Sequence, residues 1–344
     1  MAVRAGYLRT AAVVVALTGV SACSAGTPAS SRPTPTTAPP TAASPTPSPA
    51  ATADPARVHA DPARVHADEL GSVPVLMYHQ LLAHPKGVYD QTPAQFRAEL
   101  ESLYAGGYRT VRAADLVAGR IDVPAGTSPM VLTFDDSTVS QYGELADGSV
   151  DPASAVGILL AVARAHGEEH PVATFYVNAR PFAGRTRYLA SLARLGMELG
   201  EHTASHANLR QLDDAGVQRE LQQGLAVITS AVPGASVTTM ALPFGAHPHH
   251  VALAHHGRGY DFRGVLLVGS KPARSPYSKG FDPLELPRIR SGLRTGDQSF
   301  TSTYWLPRLR ATRYVSDGDP ATIAFPRSEA DRLAPRFAGQ ARPY

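Results

Sequence analysis

A single cysteine, Cys23, stands in a chain of 344 residues. One cysteine excludes an intrachain disulfide, so no covalent staple holds the fold. Long apolar runs are scarce too: the run Ala11–Leu17 is far shorter than the ~20 residues that cross a bilayer as a helix. Charge of one sign is also lacking. The formal net charge of +3 drops to +1 once residues 1–22, with Arg4 and Arg9, are removed, and no Lys/Arg-rich run occurs. That balance excludes the electrostatic footprint of a nucleic-acid binder. Residues 24–55 have almost no charge and no large apolar side chains, only Pro, Ser, Thr and Ala in quantity. Such a segment cannot bury enough surface to offset its ordering entropy, and its prolines predict an extended, semi-rigid, disordered stalk.

Two arginines, a short apolar run and small residues before Cys23 read as a secretory signal. Val20-Ser21-Ala22-Cys23 resembles a bacterial lipobox, which makes Cys23 the expected lipidation site. The alternative is an ordinary signal with Cys23 left as a free thiol. One acyl chain, at ~0.8 kcal/mol per buried CH2, binds a membrane only marginally, so a multiply acylated cysteine is expected to supply the anchor. The location implied is extracytoplasmic, at the membrane as a lipoprotein. The expected organisation is a signal peptide at 1–22, a lipidated cysteine and disordered linker at 23–71, a folded domain at 72–290, and a C-terminal extension at 291–344 packed on it. A tandem heptapeptide, Asp54–Ala60 and Asp61–Ala67, is too short for a solenoid and is assigned to the stalk. His59 and His66 are accordingly not expected to bind metal.

From residue 72 on, strand and helix signals alternate. Pro74–His79, Met130–Phe134, Val172–Val177, Glu198–Glu201, Val237–Leu242 and Gly264–Val268 read as strands, Thr110-Val111 as a short one. Thr92-Pro93 is a helix start, Thr as cap and Pro in the first turn, and Gly106-Gly107 a stop. Ala155–Ala165, Tyr188–Leu195 and Asp214–Ala231 are helical, the last with Val217, Leu221, Leu225 and Ile228 on one face. This alternation implies α/β architecture with parallel strands, and polar residues recur where strands end, the rim at which β/α barrels place their chemistry.

Two clusters stand at those ends. Asp135 and Asp136 follow Thr133-Phe134. Both reach one pocket only if the backbone turns out of the strand between them; a helix cap or turn is the other reading. His202 and His206 share one face if the segment is helical, at a spacing that suits one ion; the other reading is two surface histidines among the chain's 13. One carboxylate and two imidazoles on a metal, with a second carboxylate off it, equip a site for hydrolysis.

Thr133-Phe-Asp-Asp136, His202-Thr-Ala-Ser-His206 and Leu242-Pro-Phe-Gly245, in that order, resemble the polysaccharide deacetylase (NodB homology) family over about Pro74–Arg290. The resemblance implies a distorted (β/α)7 barrel that removes acetyl groups from N-acetylated polysaccharide. It implies a divalent metal, Zn2+ first and Co2+, Ni2+ or Mn2+ as alternatives, on Asp136, His202 and His206, with Asp135 as base. The N–H of Phe244 becomes the candidate oxyanion donor, although a Pro-Gly turn would look the same. The chain departs from the family at Ala241, where an arginine is usual, and lacks the late Leu-x-His motif. Leu76-Met-Tyr-His79 and Leu286-Pro-Arg-Ile289 resemble a branch that includes poly-N-acetylglucosamine deacetylases. His79 is therefore the candidate acid, and Arg288 the candidate replacement arginine orienting Asp135. A satisfied strand-end histidine and a rim arginine for an acidic glycan are the respective alternatives. Five histidines between His247 and His256 are expected to be mostly solvated. The long segment 137–171 is a candidate wall of the substrate groove. An O-acetyl glycan esterase, or a non-catalytic carbohydrate-binding lipoprotein, fits the same residues less well. A monomer is expected.

Overall fold

The structure is a computed structural model that describes residues 60–291 and 297–344. The expected signal peptide, Cys23 and the linker through His59 lie outside the described residues.

A four-residue helix, α1 (Pro62–Val65), leads to the first barrel strand, β1 (Val75–Tyr78). Then come α2 (Pro93–Ala105), β2 (Tyr108–Thr110), α3 (Ala113–Ala118), β3 (Ser128–Phe134), α4 (Ala155–Ala165), β4 (Thr174–Val177), α5 (Arg187–Arg194), β5 (Glu198–Glu201), α6 (Asp214–Ala231) and β6 (Thr239–Ala241). A small antiparallel hairpin, β7 (His256–Gly257) and β8 (Tyr260–Asp261), precedes β9 (Gly264–Gly269) and β10 (Leu286–Arg290). Helix α7 (Ser302–Leu309) and the pair β11 (Ile323–Phe325) and β12 (Ala341–Pro343) complete the chain.

Seven parallel strands close into a ring in the order β1, β10, β9, β6, β5, β4, β3 and back to β1. Strand β2 stands outside the ring. It pairs with the first half of β3, Ser128–Met130, and β1 takes over the same edge at Val131–Phe134. This is the distorted (β/α)7 barrel that the sequence implied.

Side chains alternate along each strand, and the two faces have different partners. Outward residues such as Leu76, Leu132, Phe134 and Phe175 pack with Phe96 and Leu100 of α2 and Leu159 of α4. Met240 and Val265 pack with Val217 and Leu221 of α6. Inward residues Val75, Val131, Tyr176, Ala241, Leu266 and Leu286 fill the barrel. Gly200 makes room there, since a Cβ on it would fall 2.4 Å from the Tyr176 ring. The helix starts follow from local chemistry: Thr92 and Gln95 form a reciprocal capping box on α2, Ser154 caps α4, and Asp213 caps α6.

The assignment of residues 23–71 to a disordered linker is corrected at its C-terminal end. The second heptapeptide folds: Asp61 caps α1, and Ala67 and Leu70 are fully buried. Leu70 shares a cluster with Tyr314, Ile323 and Phe325, and Asp68 bridges to Val315. The polar heptad hid this, because the apolar surface that pins it belongs to residues more than 240 positions away.

Candidate active site at the carboxyl rim of the barrel

His79, Asp135 and His202 each occupy the next inward position beyond the end of their strand. They continue the rows Val75–Met77, Val131–Thr133 and Glu198–Gly200. A period of two thus delivers three functional side chains to one end of the barrel. Asp136 joins them because the backbone leaves β3 there, with φ at 71°.

Asp136 Oδ1 lies 3.5 Å from His202 Nε2 and 3.4 Å from His206 Nε2. One donor atom from each residue falls within 4.8 Å of the others. Ligand bonds of about 2.1 Å spread tetrahedrally place donor atoms roughly 3.4 Å apart. The tautomer of His202 also fits. Its Nδ1 donates to the Ala241 carbonyl at 2.7 Å, so Nε2 keeps a lone pair. Nε2 of His202 and Oδ1 of Asp136 are buried without a hydrogen-bond partner. Buried polar atoms seldom stay unpaired, and a divalent cation satisfies all three donors at once.

His202 and His206 do not share a helical face, contrary to the sequence expectation. They meet across an irregular loop in which Thr203 and His206 take positive φ, 60° and 56°. Helix α6 holds that loop. Glu220 accepts from Ser205 N and Oγ at 2.8 and 2.9 Å, its carbonyl accepts from Ala204 N, and Gly224 leaves space for the Glu201 carboxyl, which accepts from Thr203 N. Of eight non-glycine residues with positive φ among those described, five are in the site: Asp136, Ser137, Thr203, His206 and Phe244. Backbone strain is therefore concentrated where geometry has to be imposed.

Asp135 is almost completely buried, and Arg288 meets it with both guanidinium nitrogens, at 2.7 and 2.8 Å. Arg288 is itself fully buried and anchored to Thr133 Oγ1 at 3.1 Å and the Leu267 carbonyl at 2.6 Å. Burial alone would raise the Asp135 pKa. The Arg288 charge, with His202 and His79, outweighs burial and holds it well below the usual carboxylate range. Position 241, an alanine, leaves the arginine role to β10, and its carbonyl orients His202 instead.

His79 Nε2 stands 3.8 Å from Asp135 Oδ2. Burial lowers its pKa, and the nearby carboxylates only partly oppose this. Burial likewise lowers the His206 pKa, whereas Asp135 and Asp136 overcome burial at His202 and raise it. Phe244, with φ of 61°, places its ring 4.8 Å from that of His206.

One residue of the site gave no sequence signal. Gln141, fully buried in the segment 137–171, donates from Nε2 to the carbonyls of both His79 (2.8 Å) and Asp135 (2.5 Å). It ties the ends of β1 and β3 together. The histidines after Phe244 do not form a cluster: His247 lies 3.0 Å from Glu285, His250 bonds Asp214, and His256 pairs with Asp261.

A parallel β/α barrel with an Asp-His-His donor set and a buried Asp–Arg pair at its carboxyl rim defines a class of hydrolase scaffold. Residues 122–262 match the family model described as Polysaccharide deacetylase. A chitin deacetylase of Arthroderma benhamiae is 29% identical over 126 residues, which is 36% of this chain and 29% of the length of that relative. A polysaccharide deacetylase from Bacillus cereus superposes with a TM-score of 0.52 at 21% identity, over 68% of this chain and 69% of its own. A Streptococcus pyogenes deacetylase in complex with acetate gives 0.51 at 17%, over 66% and 96%. These two likenesses establish the fold.

Proposed function

We propose that the chain is a metal-dependent hydrolase that removes acetyl groups from an N-acetylated cell-surface polysaccharide. The observation that carries this reading is the meeting of three possible ligand atoms, on Asp136, His202 and His206, two of them buried without a hydrogen-bond partner, beside the buried Asp135–Arg288 pair. A divalent cation on those donors, Zn2+ before other transition ions, supplies charge that polarises the acetyl carbonyl and acidifies a water. Asp135 accepts the water's proton. Arg288 occupies one lone pair on each of its oxygens, which leaves a second on each. The Phe244 N–H is the candidate donor to the developing oxyanion. His79, neutral at rest because burial lowers its pKa, receives the proton across the 3.8 Å gap from Asp135 and delivers it to the departing amine as the C–N bond breaks. The products are acetate and a free amino sugar. Lipid anchoring at Cys23 outside the cytoplasm belongs to the same reading.

The test is acetate release from N-acetylglucosamine oligomers by chelator-stripped protein, with and without Zn2+, Co2+, Ni2+ or Mn2+. The reading requires metal-restored release; none with any metal would leave a carbohydrate-binding protein. A parallel assay on O-acetylated xylan separates amide from ester preference. Cys23→Ala is expected to move the protein from the membrane fraction to the medium.

A further inference from the structure

Beside α7 the flank of the barrel opens into a cavity of about 290 Å3. Four cationic side chains line it, Lys271, Arg274, Arg308 and Arg332, and no acidic one does. This gathering is not a sample of a generally basic protein, because the whole chain has a formal net charge of only +3. Like charges brought together repel unless an anion joins them. Acids neutralise one of the four: Arg332 Nη1 lies 2.8 Å from Glu329 Oε2 and 4.0 Å from Asp68 Oδ2. Lys271, Arg274 and Arg308 have no ion-pair partner among the described residues.

The frame around these cations is fixed. Ser72 N donates to the Thr312 carbonyl at 2.7 Å, Val73 and Ala273 exchange backbone bonds, and Trp305 Nε1 donates to the Ser270 carbonyl at 3.1 Å. Three segments distant in sequence thus close one cavity: the approach to β1, the turn after β9 and the end of α7. Arg308 is held without an acid. It donates to the Tyr304 carbonyl at 2.7 Å, and its guanidinium carbon stands 3.7 Å from the centre of the Tyr304 ring. None of the walls belongs to the Asp-His-His cluster.

Charge and oxygen count select the ligand. A carboxylate has one charge, and a single arginine fork satisfies it. A phosphate monoester carries about −1.5 to −2 charges and three acceptor oxygens, which matches three uncompensated cations. The cavity is close to the lower end of small-ligand sites, ~300–1,000 Å3, so it has room for more than the phosphate. Trp305 offers an apolar face to a short carbon skeleton, and Ser72 and Thr312 offer hydroxyls to its oxygens. We propose that this cavity binds a phosphate monoester of a small polyol or sugar, at a site separate from the one that reacts. The inference does not depend on the deacetylase reading.

The test is calorimetric titration of the full-length chain carrying Cys23→Ala, in phosphate-free buffer of low salt, with glycerol 3-phosphate, inorganic phosphate, glycerate and glycerol. Glycerol 3-phosphate should bind more tightly than inorganic phosphate or glycerate, glycerol should not bind, and the affinity should fall as salt rises. Lys271→Met with Arg274→Met should weaken glycerol 3-phosphate at least about tenfold, and Arg308→Met separately by a similar factor. All three side chains are exposed, so neither change disturbs the core. Removing two exposed cations elsewhere, Arg164→Met with Arg219→Met, should leave the affinity unchanged. No binding of glycerol 3-phosphate overturns the proposal. Binding that survives both cavity substitutions does so too, as does an equal loss in the control variant, because a diffuse field would then be responsible. Equal affinity for glycerate would contradict the phosphate, and equal affinity for inorganic phosphate the polyol. Sedimentation with phosphatidic acid vesicles but not phosphatidylcholine ones, lost in Lys271→Met with Arg274→Met, would make the ester a lipid headgroup. Binding of the soluble ester without sedimentation would make it a free ligand.

Discussion

The two ends of the barrel differ in how many buried polar atoms they leave unmet: the amino end leaves Ser128 Oγ, the carboxyl rim a cluster. At the amino end, Glu198 is enclosed, but each of its oxygens is used: Thr239 Oγ1 donates at 2.5 Å, Thr174 Oγ1 at 2.8 Å and Ala114 N at 2.9 Å. Glu69, which precedes β1, accepts from Ala324 N at 2.9 Å and Ser316 Oγ at 3.1 Å. At the carboxyl rim, His202 Nε2, Asp136 Oδ1, His79 Nδ1, Gln141 Oε1 and Glu201 Oε1 are buried with no partner. The difference is instructive because the cost of an unmet buried polar atom is about 1–3 kcal/mol. The amino end pairs its buried carboxyl groups, whereas the rim keeps a cluster of unmet polar atoms beside residues of positive φ.

The largest expected effect comes from replacing a rim donor. Asp136→Asn should lower kcat/KM about a thousandfold or more with only a small change in Tm, because Asn keeps the side chain's shape and tolerates the φ of 71°. A collapse of Tm would break the contrast between the ends.

Arg288→Met tests the one rim pair that is fully satisfied. It leaves the Asp135 carboxylate buried and uncompensated, a loss of about 3–5 kcal/mol in urea unfolding at pH 7. The depressed pKa of Asp135 gives the wild type a contribution that is present above the unfolded value of about 3.9 and lost as pH falls towards the folded one. The deficit of the variant should therefore shrink as pH drops below about 4.

Gln141→Ala should cost about 10–100-fold in kcat, the scale of outer support to a site, with circular dichroism unchanged. The last test belongs to the amino end and is read in the pH slope of stability rather than in activity. Burial pushes the Glu69 pKa up to about 8, although the bond from Ala324 opposes it. Its contribution is complete below the unfolded value of about 4.3 and is lost as pH rises towards 8. Wild-type Tm should fall over that window, and Glu69→Gln should flatten the fall at roughly 2–4 °C per kcal/mol.

Much of the rim was legible in the sequence because strands announce themselves by apolar runs and their ends by the polar residues that follow. Asp135, Asp136, His79 and His202 were all visible in this way, and α4, α6 and the start of α2 fell where periodicity and capping placed them. What depends on distant partners was not legible. The geometry of His206 comes from Glu220 on α6, the role of Gln141 from two carbonyls that converge only in the closed barrel, and the order of residues 61–71 from the C-terminal segment. The absent arginine at Ala241 suggested a defective site. The ring order places an arginine there by another route: β1 lies between β10 and β3, and Arg288 reaches past it inside the barrel to pair with both oxygens of Asp135.

Calorimetric titration of metal-free protein with Zn2+ tests the central claim, that the unmet donors of the rim await a cation. One equivalent should bind per chain in the wild type, with binding lost in both Asp136→Ala and His202→Ala. No Zn2+ binding by the wild type, or binding that survives both substitutions, would contradict the account.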